Sequence, residues 1–357
     1  MKKRHHYVPR FYLKAFASNP SDPKRIHIYN LTRNIPIANA SLRDQCYAHK
    51  LYGEDDTIED AFSVVEGAAA QLIARMRTER RAPHSGTDDH RLLRVFMAYQ
   101  MARTESAIAR VVAYVKALER AAFTGKKAPE EWGGPEDQAM AISLSTAPVV
   151  ADSLADLAMT IVQAHPGSTF IVSDSPVFLY NQYCQGVKHF GVTGAQNEGL
   201  QIFFPLSPSV LLFLYDKWVY KVGSRDVNHV TASTEDMHAL NRLQFVSARE
   251  NVYFSDWSVA ARCKAFAGDV AKVRSRIRPH VNVAVAENDD RQELLHAFVS
   301  MPQLGIDFSF VSIRRNARRV KVIDRARRNR RPYMQPMARV PKEGDGHRTR
   351  YVVRRRQ

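Results

Sequence analysis

Residues 200–222 read LQIFFPLSPSVLLFLYDKWVYKV, and this stretch decides the fold class. Leu200–Phe204, Val210–Tyr215 and Trp218–Val222 are short apolar runs rich in aromatic and aliphatic side chains, each bounded by turn residues, which is the pattern of buried strands. Pro205-Leu206-Ser207-Pro208 joins the first two and reads as a structural connector. Upstream, Thr169–Ser173 opens the same β-rich region. Before it the period changes. Ile58, Phe62, Val65, Ala69, Leu72 and Met76 form a helical stripe, which predicts a helix from Thr57 to about Arg81. A second long helix is expected from Asp88 or Asp89 to about Phe123, and a third over about Glu136–Gln163, kinked or split at Pro148. Near the N-terminus the pattern predicts a short helix after Pro9 and a strand at Ile26–Asn30. Downstream it predicts helices at Thr234–Arg249, Val259–Arg274 and Gln292–Val299, with strands at Val252–Ser255 and Ile306–Ile313. Helices and strands are segregated, so the expected class is α+β: long helices packed on a mostly antiparallel sheet, in one domain over residues 1–313.

The chain of 357 residues is 45% hydrophobic and carries a net charge of +16. That charge is local. Residues 314–357 hold 17 Lys/Arg against three Asp/Glu, which leaves the body near neutral. Hydrophobic periodicity fades there too, so 314–357 is expected to be a basic, largely disordered tail. No run approaches the roughly 18 apolar residues that span a bilayer. The opening MKKRHHYVPRFYLKAFA has no continuous apolar stretch of a signal peptide, so a cytoplasmic protein without membrane attachment is expected. Cys46, Cys184 and Cys263 are far apart and form no CxxC pair, which argues against a structural zinc site. No internal repeat and no glycine-rich phosphate loop is present.

Polar residues in apolar company supply the candidate site. His5 and His6 precede Tyr7, Phe11, Tyr12 and Phe16, aromatics that would fold the segment onto the core. Adjacent histidines cannot share one face of a regular element, so one faces a site and the other packs. Leu93, Phe96, Gln100, Arg103, Ala107, Val111 and Tyr114 lie on one helix face that is apolar except at Gln100 and Arg103. A guanidinium there must be paired or face a polar cleft, because an unpaired buried ion costs several kcal/mol. Asp174, in Ser173-Asp174-Ser175-Pro176, follows a strand, and Asn241 lies inside a helical segment.

Together these residues resemble a bacterial family known as domain of unknown function 4238. The resemblance is carried by His5-His6-Tyr7-Val8-Pro9 with Tyr12-Leu13-Lys14-Ala15-Phe16, by Gln100, Arg103 and Thr104, and by Ser173, Asp174 and Pro176. Pro205–Pro208, Asn241 and Val252–Ser255 add to it, so it spans about residues 4–256. It implies shared site residues and brings no established activity.

The expectation for function is convergence of His5 or His6, Gln100, Arg103, Asp174 and Asn241 on one pocket, with Asp174 as the preferred partner of Arg103. Such a set suits nuclease-like hydrolysis of a nucleic acid or another anionic substrate. Histidine would move the proton, Arg103 would hold the anion, and Asp174, with His5 as a further candidate, would orient the histidine or hold a divalent metal. Arg325, Arg327, Arg328, Arg330, Arg331, Arg354, Arg355 and Arg356 would bind nucleic acid through the tail. The alternatives are a non-catalytic nucleic-acid-binding or regulatory protein, and a partner-binding protein whose polar set is a structural network.

Overall fold

A computed structural model of the chain describes residues 4–49, 51–52, 57–122, 134–186, 192–223, 229–276, 284–287, 293–296, 304–321, 325, 331, 338–339 and 351–352. The class is α+β, with mostly antiparallel sheets and long helices. The largest sheet is built around the stretch quoted above. In it β8 (Gln201–Ser207) and β9 (Val210–Tyr215) pair antiparallel, flanked by β5 (Ala158–Gln163) and β7 (Phe178–Tyr180), with β11 (His229–Thr231) parallel to β5 at one edge.

β8 and β9 are apolar along most of their length because both faces are covered. Phe203, Leu211 and Phe213 point into one core, whereas Ile202, Phe204, Leu206, Leu212 and Leu214 point into the other. The period of two divides one apolar run between two cores. The first core holds α6 (Thr234–Ser247) and α7 (Ala260–Arg276). The second holds α2 (Thr57–Glu79), α3 (Asp88–Ala102) and the N-terminal segment. A second sheet runs in the order β3 (Ile35–Ser41), β2 (Arg25–Asn30), β12 (Asn251–Phe254), β6 (Val172–Ser173). In it Tyr253 joins the second core and its neighbours Val252 and Phe254 join the first.

The connector Pro205–Pro208 is structural, as expected. Register slips between Pro205 and Ser207, so the residue without an N–H sits at a bulge, where no ladder bond is lost. The Tyr12 hydroxyl donates to the Pro205 carbonyl and its ring stacks on Phe204 at 5.0 Å. Tyr12 belongs to α1 (Arg10–Leu13), the short helix after Pro9, and Phe11 packs on Phe96 of α3 at 6.0 Å. The N-terminal aromatics therefore bury the segment against the helix that carries Gln100.

Three expectations are corrected. The single helix from Asp88 is two helices, α3 and α4 (Glu105–Ala122). Arg103 ends α3 through its N–H to Tyr99 O, and the Thr104 hydroxyl accepts from Ala107 N to restart the chain as α4. The third helix, α5 (Pro135–Ser153), runs through Pro148 but stops before β5, which takes the place of its expected last turns. Thr160, Ile161 and Val162 favour the strand, and Ile161 and Val162 fill opposite cores. Residues 293–296, expected to be helical, form a strand paired with Ala284–Glu287, and the rest of that expected helix lies outside the described residues.

The boundary expected at residue 313 is crossed by packing. Val311–Ile313 pairs with Tyr220–Val222, and Ala317, Arg325 and Arg331 then contact the body. Of the tail expected to be largely disordered, Arg315–Arg318 form a short helix and Ala338–Arg339 pairs with Tyr351–Val352, and most of the rest lies outside the described residues.

Candidate functional site

The N-terminal motif is a strand. β1 (Arg4–His6) pairs antiparallel with β4 (Tyr47–His49), in the register Arg4 to His49 and His6 to Tyr47. Alternation puts Arg4, His6, Tyr47 and His49 on one face and His5 on the other. His5 is 1% exposed, stacked on Tyr52 at 5.4 Å, and its Nδ1 accepts from Tyr52 N at 3.4 Å. Of the two histidines, His5 packs and His6 faces outward.

His6 lines a cleft of about 680 Å³ with Arg10, Arg43, His49, Glu59 and Glu66. Its Nδ1 lies 3.1 Å from Gln45 O. A carbonyl only accepts, so Nδ1 carries the proton and Nε2 is the acceptor of the neutral ring. Burial, helped by the charges of Arg10 and Arg4, pushes the His6 pKa below its ordinary value, while the Gln45 bond and Asp44 act the other way. Neutral imidazole with a fixed tautomer is the form a general base needs. Arg4 is held over the Tyr47 ring at 4.6 Å and pairs with Asp44 at 2.7 Å.

Gln100 and Arg103 stand behind this cleft. Gln100 Nε2 donates to Tyr7 O at 2.9 Å, and Gln100 Oε1 accepts from Arg103 Nε at 3.1 Å and Nη2 at 2.8 Å. Arg103 Nη1 meets Glu66 Oε1 at 2.6 Å, with the guanidinium over the Phe62 ring at 5.0 Å. The partner expected for Arg103 was Asp174, and the structure corrects it to Glu66. The two are four residues from Phe62 to Glu66 on α2, so ring and carboxylate grip the guanidinium from one helix face. Arg103 is buried and does not line the cleft, whereas Glu66 does. The expected anion holder thus positions a carboxylate.

Asp174 and Asn241 work on main chain. Asp174 Oδ1 accepts from Arg249 N at 2.7 Å, and Oδ2 accepts from Glu250 N and Asn251 N at 2.7 and 2.8 Å, tying the turn between α6 and β12. Burial pushes its pKa up to about 6, against the pull of the three N–H donors, and the charge of Glu105 adds to the rise. Asn241 accepts from Ile171 N at 3.1 Å and donates to Thr169 O at 2.9 Å, completing that segment as another strand would. Asp174 also acts electrostatically on Tyr7 and Cys46, and the Cys46 sulfur lies 3.1 Å from the Tyr253 hydroxyl. Gln100 and, electrostatically, Asp174 act on Tyr7 inside the protein, Arg103 joins through Gln100, Asn241 stays with Thr169 and Ile171, and of the six expected site residues only His6 lines the cleft. Both oxygens of Asp174 and the Nδ1 of His5 are engaged by backbone N–H groups. Among the described residues no three His, Cys, Asp or Glu side chains gather where a metal ion could bind.

The residues that resemble a family thus form one connected frame around β1, α3 and the Asp174 turn. A family model described as "Protein of unknown function (DUF4238)" matches residues 4–258. The chain belongs to the DUF4238 family. Searches of curated proteins and of solved structures each returned no match.

In this DUF4238 chain the frame ends before the basic tail, of which Arg325 and Arg331 turn inward while Arg315, Arg318 and Arg319 are exposed. Arg331 is fully buried, pairs with Asp156 at 2.9 Å and donates to Ala195 O and Ser153 O. Arg325 donates to Tyr183 O at 2.7 Å and lies 4.3 Å over that ring. These two support the fold and do not extend to a ligand. Arg327, Arg328, Arg330, Arg354, Arg355 and Arg356 lie outside the described residues. Sequence reasoning missed Glu59, Glu66, Arg10, Arg43 and His49. Glu59 and Glu66 are seven apart on α2, a helical repeat that signals one face. His49 gives no local signal, because only the pairing of β4 with β1 brings it to His6. No helix among the described residues is long and apolar enough to cross a membrane.

Proposed function

We propose that the cleft beside β1 binds a phosphate-bearing anionic substrate and that His6 is the acid–base group of its hydrolysis. The observation carrying this reading is His6 itself, held as a neutral single tautomer in a cleft flanked by Arg10 and Arg43. In the proposed reaction His6 Nε2 takes the proton of an attacking water as its oxygen bonds to phosphorus. The ester P–O bond breaks, and the leaving oxygen takes a proton from His49 on the same face. Arg10 and Arg43 offset the phosphate charge. Glu66, fixed by Arg103, orients groups in the cleft. The proposed compartment is the cytoplasm, supported by three buried free cysteines.

The second reading is non-catalytic binding. It is favoured by Gln100, Asp174 and Asn241, whose polar atoms serve the backbone. Labelled RNA, labelled DNA and bis(p-nitrophenyl) phosphate, each with and without divalent metal, separate the two. Turnover abolished by His6→Gln with the fold intact supports hydrolysis. Turnover that persists in that variant, or no turnover on any substrate, removes it.

A further inference from the structure

A second cleft, of about 610 Å³, lies between the loop joining α2 to α3 and the end of the main sheet. Arg81, Lys221, Arg314 and His84 line it, and no carboxylate is among its lining residues. Arg314 is fixed there: its backbone N–H donates to Val219 O at 2.8 Å, and its Nε donates to Lys217 O and Tyr220 O at 2.8 and 3.0 Å. The next helix, Arg315–Arg318, continues the basic surface with exposed Arg315, Arg318 and Arg319. Beside it, in the turn that Arg314 holds, Trp218 is 60% exposed, with the Lys217 ammonium 5.9 Å from its ring.

We propose that this surface binds single-stranded nucleic acid, with phosphates in the cationic cleft and a base stacked on Trp218. It deepens the phosphate-substrate reading by naming the polymer, and it rests on a different part of the molecule. Three features favour this occupant. The cleft is of the size that takes a nucleotide, within the roughly 300–1,000 Å³ of ligand sites. Its lining is cationic without a compensating acid, so a phosphate neutralises it. An exposed indole offers a π-face, which an unpaired base can cover and a duplex, whose bases stack on one another, cannot.

The test is fluorescence anisotropy of a labelled oligonucleotide of about 16 residues, single-stranded or duplex, with the full chain and no turnover conditions. Trp218→Ala is expected to weaken single-strand binding by about tenfold or more, and Trp218→Phe to retain it. The double variant Arg81→Glu, Lys221→Glu is expected to flatten the salt dependence, with near-ultraviolet circular dichroism confirming its fold. Tighter binding of duplex, or an affinity unmoved by both Trp218→Ala and the double variant, overturns the proposal. So does preference for an acidic peptide over the oligonucleotide. Binding that the variants weaken, without any hydrolysis, upholds this surface and sinks only the reaction at His6. Hydrolysis with binding unmoved by both Trp218→Ala and the double variant does the reverse.

Discussion

Arg103 and Glu66 meet at 2.6 Å, the guanidinium 2% exposed and the carboxylate 25% exposed at the wall of the His6 cleft. A buried cation thereby fixes the orientation of a cleft-lining anion. Removing Arg103 leaves Glu66 without its ion partner and Gln100 Oε1 without its donors.

Arg103→Ala is therefore expected to destabilise the fold by about 3–5 kcal/mol, the range for breaking a buried pair. Arg103→Lys keeps charge but loses the fork that reaches Gln100 and Glu66 together, and is expected to lose about 1–3 kcal/mol. Urea unfolding of both variants and of Glu66→Gln, arranged as a double-mutant cycle, measures the coupling. An Arg103→Ala loss below about 0.5 kcal/mol, the size of an ordinary surface change, would refute the pairing.

His6 sets a pH dependence with a definite sign. Its folded pKa lies below the ordinary 6.5, with burial as the main cause. As pH falls through 6.5 the unfolded chain takes up a proton at this position before the folded chain does, so stability declines toward acid. The acid limb of any activity that uses His6 as a base must then fall below 6.5. Arg10→Ala removes a repelling charge and is expected to raise the His6 pKa, read directly by NMR titration of the ring. A ring that titrates at or above 6.5 in the wild type, or that ignores Arg10→Ala, contradicts this account.

Truncation of the tail has two different outcomes. Deleting residues 340–357 removes no contact described for the body and is expected to leave the melting temperature unchanged. Deleting residues 325–357 also removes Arg331, which is 0% exposed, and leaves the half-buried Asp156 without it. That cut, or Arg331→Ala alone, is expected to lose about 3 kcal/mol or more. Calorimetry on the three chains checks the expectation. Equal melting temperatures for both truncations would show that Arg331 contributes nothing.

The sequence by itself determined the class and the frame. The apolar run at 200–222 could only be buried strand, the N-terminal aromatics could only be core, and a polar pair on the α3 stripe had to be satisfied inside. These are local statements, and periodicity and desolvation suffice for them. The helix break at Arg103-Thr104 was harder to read, because Thr104 caps α4 from within an unbroken helical pattern. Ala158–Gln163 does not announce itself as a strand for a related reason: an apolar run that fills two cores has no period to declare itself by. Which carboxylate meets Arg103, which histidine faces outward and where Arg331 docks were decided only by tertiary structure. Glu66 lies 37 residues from Arg103, Gln45 lies 39 from His6, and Asp156 lies 175 from Arg331. A buried charge states its need for a partner in the sequence, but any carboxylate can meet that need. The choice among them follows from which elements pack face to face, and that is a property of the folded chain as a whole.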